Sequence, residues 1–426
     1  MKTQVGVRRS RRWGGEVVDD GLHDATLDPS VMIRPLETSD RATFVRQRVG
    51  VPDVQDLLAR VSGDTYGSSC VCHESESVAL GCYLARMPNL TETLAWLVDI
   101  PSATGREATI RNAIAERLAG QPQTRVEDSL VVGDPASGKV VLAGHTDTVP
   151  SQGNGGARVV GDRLFGLGAT DMKSGLAVMI HLLEDLGTAN FVGVFYAGEE
   201  GPIKGNQLGA VLDAIPALEE AEVGIVMEPT SLELHAGCQG SVNATVWFEG
   251  EAAHSARPWL GTNAVTRAGE FLTMMGGLRP EIHPIEGLEF KEVISVTMAS
   301  GGVAKNIIPP RFELNVNYRF SPDRSLEEAV SRLGELCGGA DGFDVSDSAP
   351  AAYPEMSHPL FGDLATAANA SISHKQGWTD VAQLAQRGVP AVNFGPGETA
   401  LAHKPGESVR LSDLDWAYEA LSSVLR

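Results

Sequence analysis

Short apolar runs alternate with helical patterns along the chain from Met87 to the C-terminus. Residues 140–144 (VVLAG), 191–196 (FVGVFY) and 223–227 (VGIVM) are uninterrupted apolar runs, which is typical of strands buried on both faces. Behind Asp171, apolar residues recur at helical spacing: Leu176, Met179, Ile180 and Leu183. The alternation predicts an α/β fold with a mostly parallel, mixed sheet covered by helices. His181 falls off the apolar stripe of its helix, so we expect it to face solvent.

In the middle of the chain, apolar and polar residues alternate one by one. Residues 242–248 and 312–320 show this period of two, as half-buried antiparallel strands do. Helical patterns lie between and after them, so the order over residues 238–347 is β-α-β-β-α-β, which predicts an inserted ferredoxin-like α+β domain. The chain then returns to its first pattern. We therefore expect a discontinuous α/β domain made of residues 87–237 and 348–426.

The N-terminal stretch, residues 1–86, differs from the rest of the chain. It has basic and acidic runs, several glycines and little apolar periodicity, and no apolar segment follows its arginines as a secretory signal would require. We expect a poorly ordered extension, and a convincing domain pattern begins only at Met87.

Composition limits the classes of partner. The formal net charge of −21 argues against nucleic acid and against an anionic membrane surface. No apolar run reaches the roughly 18 residues that a membrane span needs. Five cysteines scattered over 426 residues do not form a disulfide framework, so the sequence favours the cytoplasm.

Metal-type side chains stand at the ends of the predicted strands or in the loops that follow. They are His145, Asp147, Asp171, Glu199, Glu200, Glu228 and His403. Sites in such sheets gather at the carboxyl ends of the strands. Carboxylates and imidazoles brought together there predict two divalent cations, which can hydrolyse an amide with a water held between them. Taken singly, each residue has an ordinary alternative; Asp171, for example, could cap the helix that follows it.

The motifs HTDTVP, GATDMKSG, AGEEG, MEP, AHSARP, NIIP and AHK, in this order, resemble those of the M20 metallopeptidase family, most closely its succinyl-diaminopimelate desuccinylase branch. The resemblance covers roughly residues 87–426. It implies a dizinc aminopeptidase-like catalytic domain and a lid at 238–347 through which two chains form a homodimer. It also implies two divalent metal ions per chain, zinc in the first place and cobalt as an alternative, and a small N-acyl amino acid as substrate.

The resemblance also implies a role for each matching residue. His145 and Glu228 would hold one metal, Glu200 and His403 the other, and Asp171 would bridge the two. Asp147 would orient the His145 ring, and Glu199 would act as general base. His254 would reach across the dimer to stabilise the oxyanion, while Arg319, Asn306 and Thr379 would bind substrate. The Asp171–Met172 peptide bond would be cis. Arg319 has an ordinary alternative as a surface arginine, and Thr379 as a turn residue.

One departure from the family pattern affects the substrate. The best-known desuccinylases carry RRGS at the lid entrance, where this chain has CQGS at 238–241. A related subgroup with sequences like AHSARPWLG and NVNYRF fits this chain better, and resemblance to it still implies removal of the succinyl group from N-succinyl-LL-2,6-diaminopimelate. An acetylornithine-type deacylase or an M20 carboxypeptidase would use the same metals, and a binding module without metal is the alternative outside enzymes.

Overall fold

The computed structural model describes residues 89–426, and the predicted extension 1–86 lies outside the described residues. The strands of the described part are β1 (Gln123–Val126), β2 (Ser129–Val132), β3 (Val140–His145), β4 (Arg158–Val160), β5 (Arg163–Phe165), β6 (Phe191–Tyr196), β7 (Val223–Val226), β8 (Leu234–Cys238), β9 (Gly240–Glu249), β10 (Glu281–Ile285), β11 (Leu288–Gly301), β12 (Arg311–Phe320), β13 (Gly342–Ala349), β14 (Ile372–Lys375), β15 (Ala391–Asn393) and β16 (Ser408–Arg410). The α-helices are α1 (Leu90–Val98), α2 (Ala108–Arg117), α3 (Lys173–Leu186), α4 (Gln207–Ala214), α5 (Ala264–Arg267), α6 (Gly269–Gly277), α7 (Leu326–Leu336), α8 (Pro359–Ala368), α9 (Val381–Gln386) and α10 (Leu411–Leu425). Within residues 89–426, no helix combines the length and the apolar character needed to cross a membrane.

An eight-stranded sheet forms the larger core, in the order β1-β2-β6-β3-β7-β15-β8-β14. The neighbours β6, β3, β7 and β15 run parallel, and so do β8 and β14. The remaining pairs are antiparallel. This confirms the mostly parallel, mixed sheet that the apolar runs predict.

Helices cover both faces of this sheet. Helices α1, α3, α8 and α10 pack on one face around Leu176 and Leu421, and α4 and α9 pack on the other around Leu212 and Leu384. The expectation that His181 faces solvent is wrong: it is buried, and its Nε2 lies 2.7 Å from Thr93 Oγ1 of α1. Helix α3 has α1 and α10 against it as well as the sheet, so more than its apolar stripe is covered.

A second sheet has five strands in the order β10-β11-β12-β9-β13, and every neighbouring pair is antiparallel. Apart from β10, these strands follow the predicted β-α-β-β-α-β order, with the spatial arrangement of a ferredoxin-like fold. The addition is β10, which forms a hairpin with the first part of β11 at the edge of the sheet. Helices α5, α6 and α7 pack on one face through Ala264, Phe271 and Leu333. The other face carries mainly polar side chains, among them Asn315 and Asn317, which both donate to Asn243.

A single residue, Gln239, separates β8 of the first sheet from β9 of the second. Its side-chain amide donates to the backbone oxygen of Lys291 at 2.6 Å and accepts from Gln376 at 2.8 Å. On the return path, backbone hydrogen bonds join Cys238 and Ala352 in both directions. The two sheets therefore meet at a short, hydrogen-bonded junction.

Candidate metal centre

The metal-type side chains converge because their parent strands are neighbours. Strand β3 ends at His145, β6 ends shortly before Glu199 and Glu200, and β7 ends shortly before Glu228. These strands lie side by side and parallel, so the loops at their carboxyl ends meet at one edge of the sheet. Asp171 comes to the same edge from the segment before α3.

The Asp171 carboxylate stands between two groups of potential ligands. Its Oδ1 lies 3.2 Å from His145 Nε2, and its Oδ2 lies 3.3 Å from His403 Nε2. Glu228 Oε1 is 3.7 Å from His145 Nε2, and Glu200 Oε1 is 2.9 Å from His403 Nε2. Within each group the candidate atoms lie within 4.8 Å of one another. The structure thus brings all five predicted ligands together; their roles as ligands stay a prediction. The Asp171–Met172 peptide bond is cis, as the resemblance implies.

Asp147 contacts more than the His145 ring. The ring Nδ1 lies 3.0 Å from the backbone oxygen of Asp147 and 3.6 Å from its carboxylate. A proton on Nδ1 directed at that oxygen leaves Nε2 as the ligand atom. The carboxylate itself accepts the backbone N–H of Glu199 at 3.1 Å and of Glu200 at 3.0 Å, and the Thr104 hydroxyl at 2.9 Å. Asp147 therefore holds the turn that carries Glu199 and Glu200, in addition to its predicted role toward His145.

The cluster is strongly anionic. Hydrogen bonds that the His403 ring donates to the carboxylates of Asp171 and Glu200 raise the pKa of His403 to about 10. Burial alone would lower the pKa of His145, but the carboxylates of Asp147 and Asp171 outweigh burial and hold this pKa well above its usual range. Burial opposes the ionisation of Asp171, yet the two histidines keep its pKa below the ordinary value. Such a site favours bound positive charge.

Two further carboxyl groups have raised pKa values because they are buried among like charges. Burial raises the pKa of Glu199 well above its usual range, and the carboxylates of Glu228 and Asp380 raise it further. Burial also raises the pKa of Glu228 to about 7, although the ammonium of Lys375 lies 3.5 Å from its Oε2 and opposes this rise. Groups with such perturbed pKa values in a cleft are candidates for proton transfer.

The residues predicted to bind substrate or to stabilise the oxyanion are not among the clustered ligand candidates. His254 and Asn306 are exposed on neighbouring segments of the second sheet domain, joined by the hydrogen bond from Ser255 N to Asn306 O. Arg319 is half-buried and donates from Nε to Asn317 Oδ1 at 3.1 Å. Thr379 is buried, and its hydroxyl finds no hydrogen-bond partner within residues 89–426. A single copy of the chain thus leaves the predicted roles of His254 and Asn306 untested.

Three buried residues at the centre were missed by the sequence analysis. Glu407 accepts the backbone N–H of Asp171 at 3.1 Å. Asp380 accepts the Tyr196 hydroxyl at 2.7 Å, and Lys375 lies against Glu228. Glu407 stands four residues after His403 in the same motif, and Asp380 follows Thr379, so their positions offered a signal. Nothing in the local pattern marks Lys375.

A further group of metal-type side chains lies in the second sheet domain, at Glu281, His283 and Glu292. Arg332 pairs with Glu281, and Arg324 pairs with Glu292 at 3.0 Å. Glu292 also accepts the N–H of Ser321 and the hydroxyl of Tyr318. Arginines thus already neutralise this group, and we assign no metal to it.

The donor set at the main cluster fits two divalent cations. It offers imidazole nitrogen and carboxylate oxygen in two adjoining groups, with one carboxylate common to both and excess negative charge around them. Such a centre at the carboxyl ends of the parallel strands of a mixed sheet is typical of metal-dependent hydrolases. The sequence profile described as Peptidase family M20/M25/M40 matches residues 141–426. The chain belongs to this family, as the motifs indicated.

Curated relatives support the same assignment. A Mycobacterium tuberculosis protein, named provisionally as succinyl-diaminopimelate desuccinylase DapE, is 38% identical over 343 residues, which are 78% of this chain and 97% of the relative. A Corynebacterium glutamicum protein named succinyl-diaminopimelate desuccinylase is 36% identical over 328 residues, 73% of this chain and 89% of the relative.

Solved structures share the fold. A tripeptidase from Staphylococcus aureus superposes with a TM-score of 0.64 at 20% identity, covering 79% of this chain and 96% of the other. The YXEP protein of Bacillus subtilis, described as a dinuclear metal binding peptidase of the M20 family, superposes with a TM-score of 0.56 at 15% identity, covering 79% and 96%. At these identities the likeness shows the fold alone.

Proposed function

We propose that the chain is a succinyl-diaminopimelate desuccinylase, which hydrolyses N-succinyl-LL-2,6-diaminopimelate to succinate and LL-diaminopimelate. The hydrolytic part of the proposal depends on one observation: the Asp171 carboxylate lies between the His145–Glu228 group and the Glu200–His403 group. The substrate is supported by the names of the two relatives that are 36% and 38% identical.

In this proposal the two groups each hold one divalent cation, with Asp171 shared between them. The mixed nitrogen and oxygen donors suit zinc, and cobalt is accepted by the same donor types. Cations bound there would supply Lewis acidity toward the amide carbonyl and the attacking water. His145 is held for this role by the hydrogen bond between Nδ1 and the Asp147 backbone oxygen.

Glu199 is the proposed general base. Its backbone N–H is fixed by Asp147, and Glu200, next along the chain, directs its carboxylate to His403. The raised pKa of Glu199 suits a group that must both accept and return a proton. It takes a proton from water as the water oxygen attacks the succinyl carbonyl carbon. It then returns that proton to the diaminopimelate nitrogen as the carbon–nitrogen bond breaks.

Two groups with unused hydrogen-bonding capacity are proposed to bind substrate. Arg319 has no carboxylate partner within residues 89–426, and Asn317, which is itself bonded to Asn243 at 2.9 Å, holds its Nε. The Thr379 hydroxyl is buried and unpaired in the described part of the chain. A guanidinium and a hydroxyl left in this state suit a substrate rich in carboxylates. Asn306 is proposed to add a polar contact.

The proposed assembly is a homodimer in the cytoplasm. Residues 238–347 form its lid and dimer contact, and residues 87–237 with 348–426 form the catalytic domain. His254 is exposed in one copy of the chain. In this proposal it acts across the dimer and stabilises the oxyanion in the second copy.

The test compares three substrates on one preparation whose metal content is measured. N-succinyl-LL-diaminopimelate should have the highest kcat/KM, well above N-acetylornithine and a dipeptide. The proposal fails if the succinyl substrate is the poorest of the three, since the acetylornithine or carboxypeptidase alternative would then hold.

A variant pair tests the base. Glu199→Ala should keep two metals per chain and lose about 10²- to 10⁴-fold in kcat, the usual contribution of a general base. The matched control, Glu219→Ala, removes a carboxylate that only pairs with Arg387 and should keep full turnover. Full turnover in Glu199→Ala would remove this residue from the base role.

A further inference from the structure

The segment that carries Asp171 gains much of its support from a distant part of the chain. Residues 166–171 link β5 to α3 and belong to neither element. Gly168 adopts a positive φ of 76°, and a Cβ there would lie 2.8 Å from Thr148 Cγ2. The segment is thus closely confined, and its backbone N–H groups need acceptors.

Glu407 supplies these acceptors. Its Oε2 accepts the N–H of Gly168 at 3.0 Å, and its Oε1 accepts those of Thr170 at 2.9 Å and Asp171 at 3.1 Å. The side chain is buried, with only 2% of the residue exposed. Successive N–H groups turned toward one point form a pocket for an anion, and the Glu407 carboxylate fills it.

The backbone around Glu407 strengthens the same link. Its carbonyl oxygen accepts the N–H of Gly166 at 3.1 Å, and the next oxygen along, of Ser408, accepts the Thr170 hydroxyl at 3.0 Å. His403 lies four residues before Glu407, and Glu407 N donates to Lys404 O at 3.2 Å across the intervening turn. One compact set of bonds therefore joins the Asp171 segment to the turn after His403.

We propose that Glu407 is a positioning residue that sets the separation of Asp171 and His403 and so tunes metal affinity at the Glu200–Asp171–His403 group. Both of its oxygens are used by backbone N–H groups, so it does not itself serve as a ligand. The inference rests on the metal centre proposed above. It predicts an unequal effect, because His145 and Glu228 reach Asp171 from β3 and β7, which Glu407 does not contact.

The test is the binding of zinc to the metal-free protein, measured by competition with a chelator, for wild type and Glu407→Gln. The glutamine keeps the shape but turns an N–H₂ group toward N–H donors. One of the two dissociation constants should rise on the order of 10- to 100-fold, the usual effect of losing a residue that orients a metal ligand. His403→Ala, which removes a ligand, identifies which constant belongs to this group.

Glu398→Gln is the matched control. Glu398 lies in the same C-terminal segment and pairs with Arg163 and Arg410, but it does not contact residues 166–171. Its zinc affinities should stay within about twofold of wild type. Thermal unfolding of the metal-free proteins shows whether each variant is folded. If Glu407→Gln does not fold, Thr170→Val is used instead, because it removes only the hydrogen bond from the Thr170 hydroxyl to the Ser408 backbone oxygen. It should raise the same zinc dissociation constant by a few-fold.

Equal zinc constants in wild type and the folded variant would overturn the inference, and so would equal weakening of both sites. Both results leave the proposed function standing, because wild type still binds two metals. A wild-type chain that binds no zinc would overturn the proposed function and this inference together.

Discussion

Asp147→Asn should impair turnover without removing a metal ligand. The Asp147 carboxylate accepts the N–H groups of both Glu199 and Glu200, at 3.1 and 3.0 Å. Asparagine keeps one acceptor oxygen and turns an N–H₂ group toward the other N–H, so at least one of these bonds is lost. A hydrogen bond to a buried carboxylate contributes about 1.5–3 kcal/mol. If this loss falls on the transition state, in which Glu199 must be aligned, kcat/KM should drop about 10- to 100-fold.

The assay is steady-state hydrolysis of the best substrate at saturating zinc, together with metal content. Asp128→Asn is the matched control: its carboxylate pairs with Arg111 on the surface, and turnover should not change. Asp147→Asn with two metals and kcat/KM within about twofold of wild type would refute the reasoning. It would show that the turn bearing Glu199 keeps its geometry without the carboxylate.

Three further predictions concern binding, stability and pH. Thr379→Val should raise KM about tenfold if the hydroxyl, which has no partner within residues 89–426, binds substrate at about 1–1.5 kcal/mol. Urea unfolding should show no loss of stability, because the substitution removes no hydrogen bond from the described part of the chain. An unchanged KM would remove Thr379 from the site. Tyr196→Phe should lower the free energy of unfolding by about 2 kcal/mol, because the buried Asp380 carboxylate loses the Tyr196 hydroxyl that donates to it at 2.7 Å. Equal urea midpoints for variant and wild type would contradict this. Burial, with help from Lys375, lowers the pKa of His235 to about 4, so the fold favours the neutral ring. This contribution to stability is complete above the ordinary pKa of 6.5 and declines as pH falls toward 4. The free energy of unfolding in urea should therefore fall by about 2 kcal/mol between pH 7 and pH 5, and by less in His235→Gln. An equal fall in the variant would refute the assignment.

Local patterns carried most of the fold prediction. Uninterrupted apolar runs predicted β3, β6 and β7, because a strand that is buried on both faces is apolar at every position. Alternation with a period of two predicted β9 and β12, because a strand that is buried on one face is apolar at every second position. The sequence did not predict the hairpin strand β10. Its sequence EIHPI contains a proline and lies largely exposed at the edge of its sheet, so it shows neither pattern.

The sequence predicted the ligand candidates of the centre but not all of the contacts that hold them. The ligand candidates could be found because parallel strands bring their carboxyl ends together, and that rule needs only strand positions. The sequence did not predict that Asp147 also accepts the backbone N–H groups of Glu199 and Glu200. These bonds depend on the distance in space between the ends of β3 and β6. Lys375 was not predicted, because its contact with Glu228 joins the end of β14 to the loop after β7, which lies far away along the chain.

By itself, the sequence determined the class of fold, the family and the side chains available for metal, because periodicity, strand ends and motif residues are properties of short segments. Only the tertiary structure decided which backbone groups Asp147 and Glu407 hold and that His181 is buried. It also decided that, within residues 89–426, Arg319 has no carboxylate partner and the Thr379 hydroxyl has no hydrogen-bond partner. Hydrogen bonds and burial depend on atoms within a few ångströms, and residues 239 positions apart, such as Gly168 and Glu407, become neighbours only when the chain has folded.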